Sequence, residues 1–311
     1  MLPESTDDRV LSAAIQVQSD NLANIILIGD KTSIEARAQH QGLKLNGIEI
    51  ISPTNNKSIY AETLFERRKH KGMTLDEASK LVTQPLILGA LLVHLDEADG
   101  MVAGAINTTA DVVRTALQCI GVDKDTKLVS SFFFMIFDQD FHPFQGAKIF
   151  TDCGLVINPK ANELAEIAMA GANSAKSLLN EEPRIALLSF STNGSAKHES
   201  ISKIIEAKRL LLEKSPTSKV DGEIQLDAAI IPEICEKKLP NSQTNGNANV
   251  LVFPNLEAGN IGYKLTERLG QAKAIGPLLQ GLKHPINDLS RGCSVEDICH
   301  VIAVTAVQAQ H

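Results

Sequence analysis

Tryptophan is absent from this chain and tyrosine occurs only twice in 311 residues, so a surface that stacks nucleobases on aromatic rings has little to be built from. Basic charge is not in excess either. Lys and Arg number 30 against 37 Asp and Glu, a formal charge of −7, which argues against a general nucleic-acid binder but leaves room for a local basic cleft. No run of eighteen apolar residues occurs, so no helix is expected to span a membrane; the longest apolar stretch, 81–95, is broken by Thr83, Gln84, Pro85 and His94. The start, Met1 to Asp8, is acidic and lacks the apolar segment of a signal peptide. Five cysteines (Cys119, Cys153, Cys235, Cys293, Cys299) are scattered and form no CxxC pair. That pattern suits free thiols in a reducing cytoplasm rather than a disulfide frame or a zinc knuckle. The eight histidines show neither HxxxH nor HExxH spacing, and acidic pairs such as Asp96-Glu97 and Glu181-Glu182 read as solvated, so no protein-bound metal is expected. Neither GxxxxGK[ST] nor GxGxxG occurs, which removes the P-loop and the dinucleotide fingerprint.

What is present is an alternation of apolar strand-like runs with helix-like runs, the sign of an α/β fold. Residues 24–30 read as a buried strand, 33–40 as a helix, 48–51 as a strand and 58–71 as a helix ending at Gly72. Thr74 and Glu77 have the spacing of a capping box. A strand at 100–105 feeds a loop at 107–111 and a helix at 112–120. A second cycle begins near 128: an aromatic strand (128–137), a long turn (138–146) and a returning strand (148–151) make a hairpin. A helix (161–179), a strand (184–190) and a helix (198–213) follow, with further strands expected at 225–231 and 249–253 and a surface loop at 239–247. The chain exceeds the usual size of a single core, so two domains are expected.

Three places share the order strand, short polar or Gly-bearing loop, helix: 107–111, 191–195 and 255–262. Ligands of open α/β sheets gather at such strand ends. This makes Ser191, Thr192 and Gly194, and Asn255, Gly259 and Gly262, candidate substrate contacts, although the last loop reads equally as a simple turn. The most informative stretch is 287–298, which brings Ser290, Arg291 and Asp297 together at the mouth of an apolar C-terminal helix. A loop entering a helix offers free N–H groups to anions. A guanidinium there can grip a phosphate or a developing oxyanion, and a carboxylate one turn inside can accept a proton. The plainer reading is that Ser294 and Asp297 form a capping box, and both roles can coexist. Arg67 to Lys71 falls at a helix end, where cations complement the dipole, and Arg114 reads by default as a solvated helix residue. Cys293 has no histidine nearby in sequence to activate it and reads as a small packing residue.

Taken in order, the segments 67–74, 100–114, 188–198, 253–264 and 288–297 resemble the phosphate acetyltransferase (phosphotransacetylase) family in its short form, over essentially the whole chain. The resemblance implies two α/β domains flanking a cleft, with an architecture like that of isocitrate and isopropylmalate dehydrogenases. It places the first domain at 1–128 plus 284–311, its C-terminal helix packing back, and the second at 129–283. It implies a cytoplasmic homodimer that uses CoA, acetyl-CoA, acetyl phosphate and phosphate as substrates, with no tightly bound cofactor. Carried over by motif, Asp297 is the base for the CoA thiol, Ser290 positions that thiol, and Arg291 holds phosphate and oxyanion charge; Arg68 and Arg114 contact CoA and phosphate. Family members usually carry a short strand ahead of the Leu2-Pro3-Glu4 segment, whereas Met1 alone precedes it here, which points to a start further upstream.

The chemistry needs these groups. A free thiol with a pKa near ~8.5 is only a few per cent ionised at neutral pH, and a placed carboxylate contributes roughly 10²–10⁴-fold. Burial would raise the pKa of Asp297 and Arg291 would lower it. Rival readings are phosphate butyryltransferase, whose acyl pocket differs by methylenes worth only roughly 1–3 kcal/mol each, and a hydroxythreonine-phosphate-type dehydrogenase, which needs a metal-binding set not seen here. A third is a non-catalytic acetyl-CoA-sensing regulatory module of the kind fused to some malic enzymes, against which the intact Ser290, Arg291 and Asp297 argue.

Overall fold

The computed structural model describes every residue except 55, 56, 125, 143 and 311, and of Lys57 the backbone only. The turn expected at 138–146 therefore has position 143 outside the described residues. The chain divides into two compact units, Met1–Asp123 with Leu282–His311, and Lys124–Gly281. In chain order the elements run α1 (Asp8–Ser19), β1 (Ile26–Ile28), α2 (Lys31–His40), β2 (Glu49–Ile51), α3 (Lys57–Arg68), a 3-10 turn (Lys69–Lys71), α4 (Leu75–Leu81), α5 (Pro85–His94), β3 (Met101–Ala103) and α6 (Thr109–Cys119). They continue with β4 (Ser130–Phe137), β5 (Gly146–Thr151), α7 (Ala161–Leu179), β6 (Arg184–Leu188), α8 (Glu199–Lys214), β7 (Lys219–Ile224), α9 (Leu226–Ile230), α10 (Pro232–Lys238), β8 (Val250–Val252), α11 (Leu256–Arg268) and β9 (Lys273–Gln280). β10 (Ile286–Asp288) and α12 (Val295–Gln308) close the chain.

In the first unit, β1 pairs parallel with β2 and β10 parallel with β3. Met1 and Leu2 connect the two ladders: the Leu2 amide donates to Ile26 O at 2.9 Å, the Ile28 amide to Leu2 O at 3.1 Å, and the Val102 amide to Met1 O at 3.0 Å. The core lies under α5, whose residues from Leu86 to Val93 are all buried, as expected of a helix that is apolar on every side. Leu64, Leu88, Leu91 and Leu92 are fully buried there, each contributing roughly 1.5–3 kcal/mol.

The second unit holds one six-stranded sheet in the order β7-β6-β8-β5-β4-β9. β4 is antiparallel to both β5 and β9, and the remaining pairs are parallel. One expectation is corrected here, and one strand is added. Residues 226–230, read as part of a strand, form α9, and the strand precedes them as β7. β7 escapes an apolar-pattern search because it carries Asp221, Gly222 and Glu223, and the interior tolerates the two acids only because loops satisfy them. Asp221 accepts from the Ser242 and Thr244 hydroxyls at 2.5 and 2.6 Å and from the Gln243 and Thr244 amides at 3.0 and 2.9 Å. β9 was also unforeseen: it contains Gly276-Pro277, a pair that reads as a turn but is accepted on an outermost strand.

Candidate active site

β10 runs in register with β3, Asp288 opposite Ala103, and the ladder ends where the Leu289 amide donates to Ala103 O at 2.7 Å. The chain then turns through Ser290, Arg291 and Gly292, all exposed, before α12 begins. Ser294 caps that helix: its hydroxyl accepts from the Asp297 amide at 3.1 Å, and Asp297 Oδ2 accepts from the Ser294 amide at 2.8 Å. One oxygen of the Asp297 carboxylate is thus committed to the capping box, which fixes the orientation of the group at the helix entrance.

A residue that the sequence reading passed over holds this turn in place. Arg9, in the first turn of α1, donates from Nη1 to Arg291 O and to Cys293 O, both at 2.8 Å, and from Nη2 to Ala105 O at 3.1 Å. Its guanidinium is itself gripped by Asp7, the N-cap of α1, at 2.7 Å. A fork of five donors is well suited to pinning three carbonyls from two segments. The signal that could have found the helix was local: Asp7 as cap ahead of Val10, Leu11, Ala14 and Val17 at helical spacing. No local signal tells that Arg9 reaches residue 291. Cys293, beside it, is buried, and burial pushes its thiol pKa up, which suits packing rather than nucleophilic attack.

Behind the turn lie two buried carboxyls. Glu4 is cradled by four successive amides: Oε2 accepts from Gly104 and Ala105 at 2.9 and 2.7 Å, and Oε1 from Ile106 and Asn107 at 3.1 and 2.7 Å. The Asn107 side chain adds a fifth donor at 2.7 Å. The loop after β3 is therefore an anion nest filled by the protein's own carboxylate. Asp288 is the opposite case. Its Oδ2 accepts from the Thr109 hydroxyl at 2.6 Å, while Oδ1 is buried without a hydrogen-bond partner among the described residues. Burial, with the Glu4 charge adding to it against the Thr109 hydroxyl and Leu289 amide bonds, pushes the Asp288 carboxyl up to about 7.

The arginines expected to touch the substrate also lie in the first unit. Arg68 ends α3, and its Nε is buried with no hydrogen-bond partner among the described residues. It lines a cavity of about 510 Å³ with Lys71, Met73, Glu77, Lys80 and Leu81. Arg114, on α6, is exposed and paired with Asp111 at 2.8 Å. It lines a second cavity, of about 690 Å³, to which Glu4 and Asn107 also contribute. Met73 and Leu81 wall both cavities. Arg67, by contrast, is structural: it donates to Ile120 O at 2.8 Å and meets His94 Nε2 at 3.2 Å.

The remaining candidates belong to the second unit. The Ser191 hydroxyl and the Gly194 amide both bond to Glu223 Oε1, at 3.1 and 2.7 Å, and the Thr192 hydroxyl accepts from the Gln225 amide at 2.9 Å. This loop is closed on itself by an internal carboxylate, so the Gly194 amide is not free to hold an anion. Asn255 caps α11, accepting from the Ala258 amide at 2.9 Å. Gly259 and Gly262 sit inside that helix rather than in a loop. A Cβ on Gly259 would lie 2.3 Å from Asp152 O, and one on Gly262 2.9 Å from the Phe253 ring, so both allow close packing. Among the described residues, no group of three or more His, Cys, Asp or Glu is placed to hold a metal ion, and no helix is long and apolar enough to cross a membrane.

An exposed Ser290–Arg291 turn with a capped carboxylate at the same helix entrance is equipped for acyl or phosphoryl chemistry on an anionic substrate. The family model for phosphate acetyl/butaryl transferase matches residues 1–306. A phosphate acetyltransferase of Acetivibrio thermocellus is 48% identical over 313 residues, covering 100% of this chain and 94% of the relative. Among solved structures, the EutD phosphotransacetylase of Staphylococcus aureus superposes with a TM-score of 0.91 at 43% identity, covering 99% of this chain and 93% of that one. The 4-hydroxythreonine-4-phosphate dehydrogenase of Klebsiella pneumoniae shares the fold alone, with a TM-score of 0.56 at 11% identity over 97% of this chain and 95% of that one. The chain belongs to the phosphate acetyl/butyryl transferase family.

Proposed function

We propose that this protein is a phosphate acetyltransferase, moving an acetyl group reversibly between the sulfur of CoA and inorganic phosphate. The observation that carries the reading is the Ser290–Arg291 turn, pinned by Arg9 next to the capped Asp297. In the direction of acetyl-CoA synthesis, Asp297 takes the thiol proton and the sulfur attacks the acetyl carbonyl of acetyl phosphate. The C–S bond forms, the C–O bond to phosphate breaks, and phosphate leaves with the electron pair. Ser290 positions the sulfur. Arg291 stabilises the charge on the carbonyl oxygen and on the departing phosphate, the interaction that strengthens most in the transition state. The cavities around Arg68 and Arg114, which share the Met73–Leu81 wall, suit a long anionic substrate: Arg68, Lys71 and Lys80 meet phosphate groups, and the Met73–Leu81 wall takes the apolar stem.

The test is to mix the protein with CoA and acetyl phosphate and follow thioester formation, then repeat with propionyl and butyryl phosphate to rank acyl length. Arg291→Ala and Asp297→Ala are expected to lower kcat by roughly 10²–10⁴-fold with the fold intact by circular dichroism. Near-normal turnover in either variant removes that residue from the mechanism.

The protein acts as a homodimer in the cytoplasm. Ile261, Leu265 and Leu269 are 58%, 52% and 77% exposed along one face of α11 and just past its end, an apolar stripe that a second copy would cover. Leu265→Asp is expected to shift the sedimenting species to monomer, and an unchanged dimer rules this face out. The five cysteines are free and buried, in keeping with a reducing compartment.

A further inference from the structure

We propose that Asp288 and Thr109 form a positioning pair for the Ser290–Arg291 turn, locking the end of β10 to the first residue of α6. The inference rests on the reading that this turn carries the reaction, and it names what holds the turn from behind. Asp288 is the last residue of β10 and wholly buried; two residues further on, the chain reaches Ser290. Its Oδ2 takes the Thr109 hydroxyl at 2.6 Å, across 179 residues of sequence. Thr109 is the first residue of the helix that bears Arg114. One short bond thus couples the strand end that presents Ser290 and Arg291 to the helix that presents the second arginine.

The space around Asp288 is closed to anything larger. A Cβ on Gly104 would lie 2.3 Å from Asp288 Oδ1 and 2.6 Å from the Leu289 amide nitrogen, so this carboxyl is seated hard against the end of β3. The neighbouring Asn287 shows what a purely structural tie looks like here: its amide donates to Thr305 Oγ1 at 2.8 Å and to Gln308 Oε1 at 2.6 Å. An amide at 288 would serve the Thr109 bond as well. A carboxyl with one oxygen left bare instead costs stability when ionised, and its proton state is what distinguishes it from an amide.

The groups facing Asp288 are Glu4 from the segment before α1, the Thr109 hydroxyl from α6, and the Gly104 backbone from the end of β3. The Leu289 amide, which donates to Ala103 O, also favours the ionised Asp288 carboxyl, and α12 meets β10 on Asn287 instead. Glu4 is fixed by five N–H donors in its nest, and burial holds the Asp288 proton to about 7. With that proton on, the strand end sits quietly against the Glu4 loop. With it off, two carboxylates oppose each other behind the turn, the β10 end is pushed outward, and Arg291 moves from its working place. The turn is therefore set by a buried proton as well as by the Arg9 clamp.

The experiment compares wild type, Asp288→Asn, Thr109→Val, Thr109→Ser and Arg291→Ala in the CoA and acetyl phosphate assay from pH 6 to pH 8.5. The ratio of Asp288→Asn to wild-type kcat is expected to rise at least ~5-fold across that range, because the amide has no proton to lose. Thr109→Val is expected to lower kcat at least ~5-fold with KM for CoA within ~2-fold, and Thr109→Ser to restore it. A flat ratio across pH overturns the proposal, as does a Thr109→Val variant with normal kcat. Should Asp288→Asn not fold, the Thr109 pair decides alone. Activity surviving in Arg291→Ala refutes the reading of the site itself, whereas loss in Arg291→Ala with a flat ratio and a normal Thr109→Val refutes only the positioning pair.

Discussion

The strongest thermodynamic consequence of the buried pair concerns stability against pH. The Asp288 carboxyl is raised from 3.8 to about 7 in the folded protein, chiefly by burial. A group whose folded pKa lies above its unfolded value contributes its full share below the unfolded pKa and loses it as pH climbs through the folded one. Wild type is therefore expected to lose stability between about pH 4 and pH 7 on account of this residue. A gap of about three pH units, at ~1.36 kcal/mol each, amounts to something on the order of 4 kcal/mol, most of a typical stability margin. Asp288→Asn keeps the shape and an acceptor for Thr109 but has no charge to bury. Urea unfolding of both proteins at pH 4.5, 6 and 8 gives the comparison. The variant is expected to be the less stable or equal at pH 4.5 and to gain steadily on wild type, by up to ~4 kcal/mol at pH 8. A constant difference across the three pH values would show that Asp288 does not titrate in the folded state over this window, and the reasoning would fail.

Glu4→Gln keeps the shape of the side chain but turns one acceptor towards amide N–H groups as a donor. It is expected to cost about 2–4 kcal/mol, seen as a lower urea midpoint, and an unchanged midpoint would mean that the 104–107 nest does not need its anion. Gly259→Ala reverses the usual benefit of alanine in a helix, because its Cβ would meet backbone atoms, Asp152 O at 2.3 Å and Cys153 Cα at 3.1 Å. A loss of about 1–3 kcal/mol is expected in thermal unfolding, and a stabilised variant would show that α11 can step aside.

Much of the fold was legible because its elements are locally consistent. The strand at 184–188, the helix at 161–179 and the capping boxes at Thr74–Glu77 and Ser294–Asp297 follow from pattern alone. Failures came where distant atoms settle a local cost. β7 reads as polar because the loops that satisfy Asp221 and Glu223 lie elsewhere in sequence. β9 went unread because Gly276-Pro277 interrupts its pattern, a pair accepted on an outermost strand. Gly259 and Gly262 read as a ligand loop because the helix needs them small for reasons of packing. At the candidate site the turn itself was visible, since Ser290, Arg291 and Asp297 stand close in sequence. Its supports were not: Glu4 lies 100 to 103 positions from the amides it holds, Thr109 179 from Asp288, and Arg9 282 and 284 from the carbonyls of the turn, and Asp288 looked like any strand-end acid.

Arg9 has one more consequence, for biosynthesis. Residues 124–281 are contiguous and can collapse as they leave the ribosome, whereas the other unit is assembled from two stretches separated by that whole interval. Until β10 and α12 emerge, β3 lacks its partner strand and the Arg9 guanidinium has only Asp7 and Ala105 O to grasp. The Ser290–Arg291 turn is therefore completed only after residues 282–297 have been made, so a chain stalled short of residue 290 would carry exposed strand edges and an Arg9 clamp without its turn.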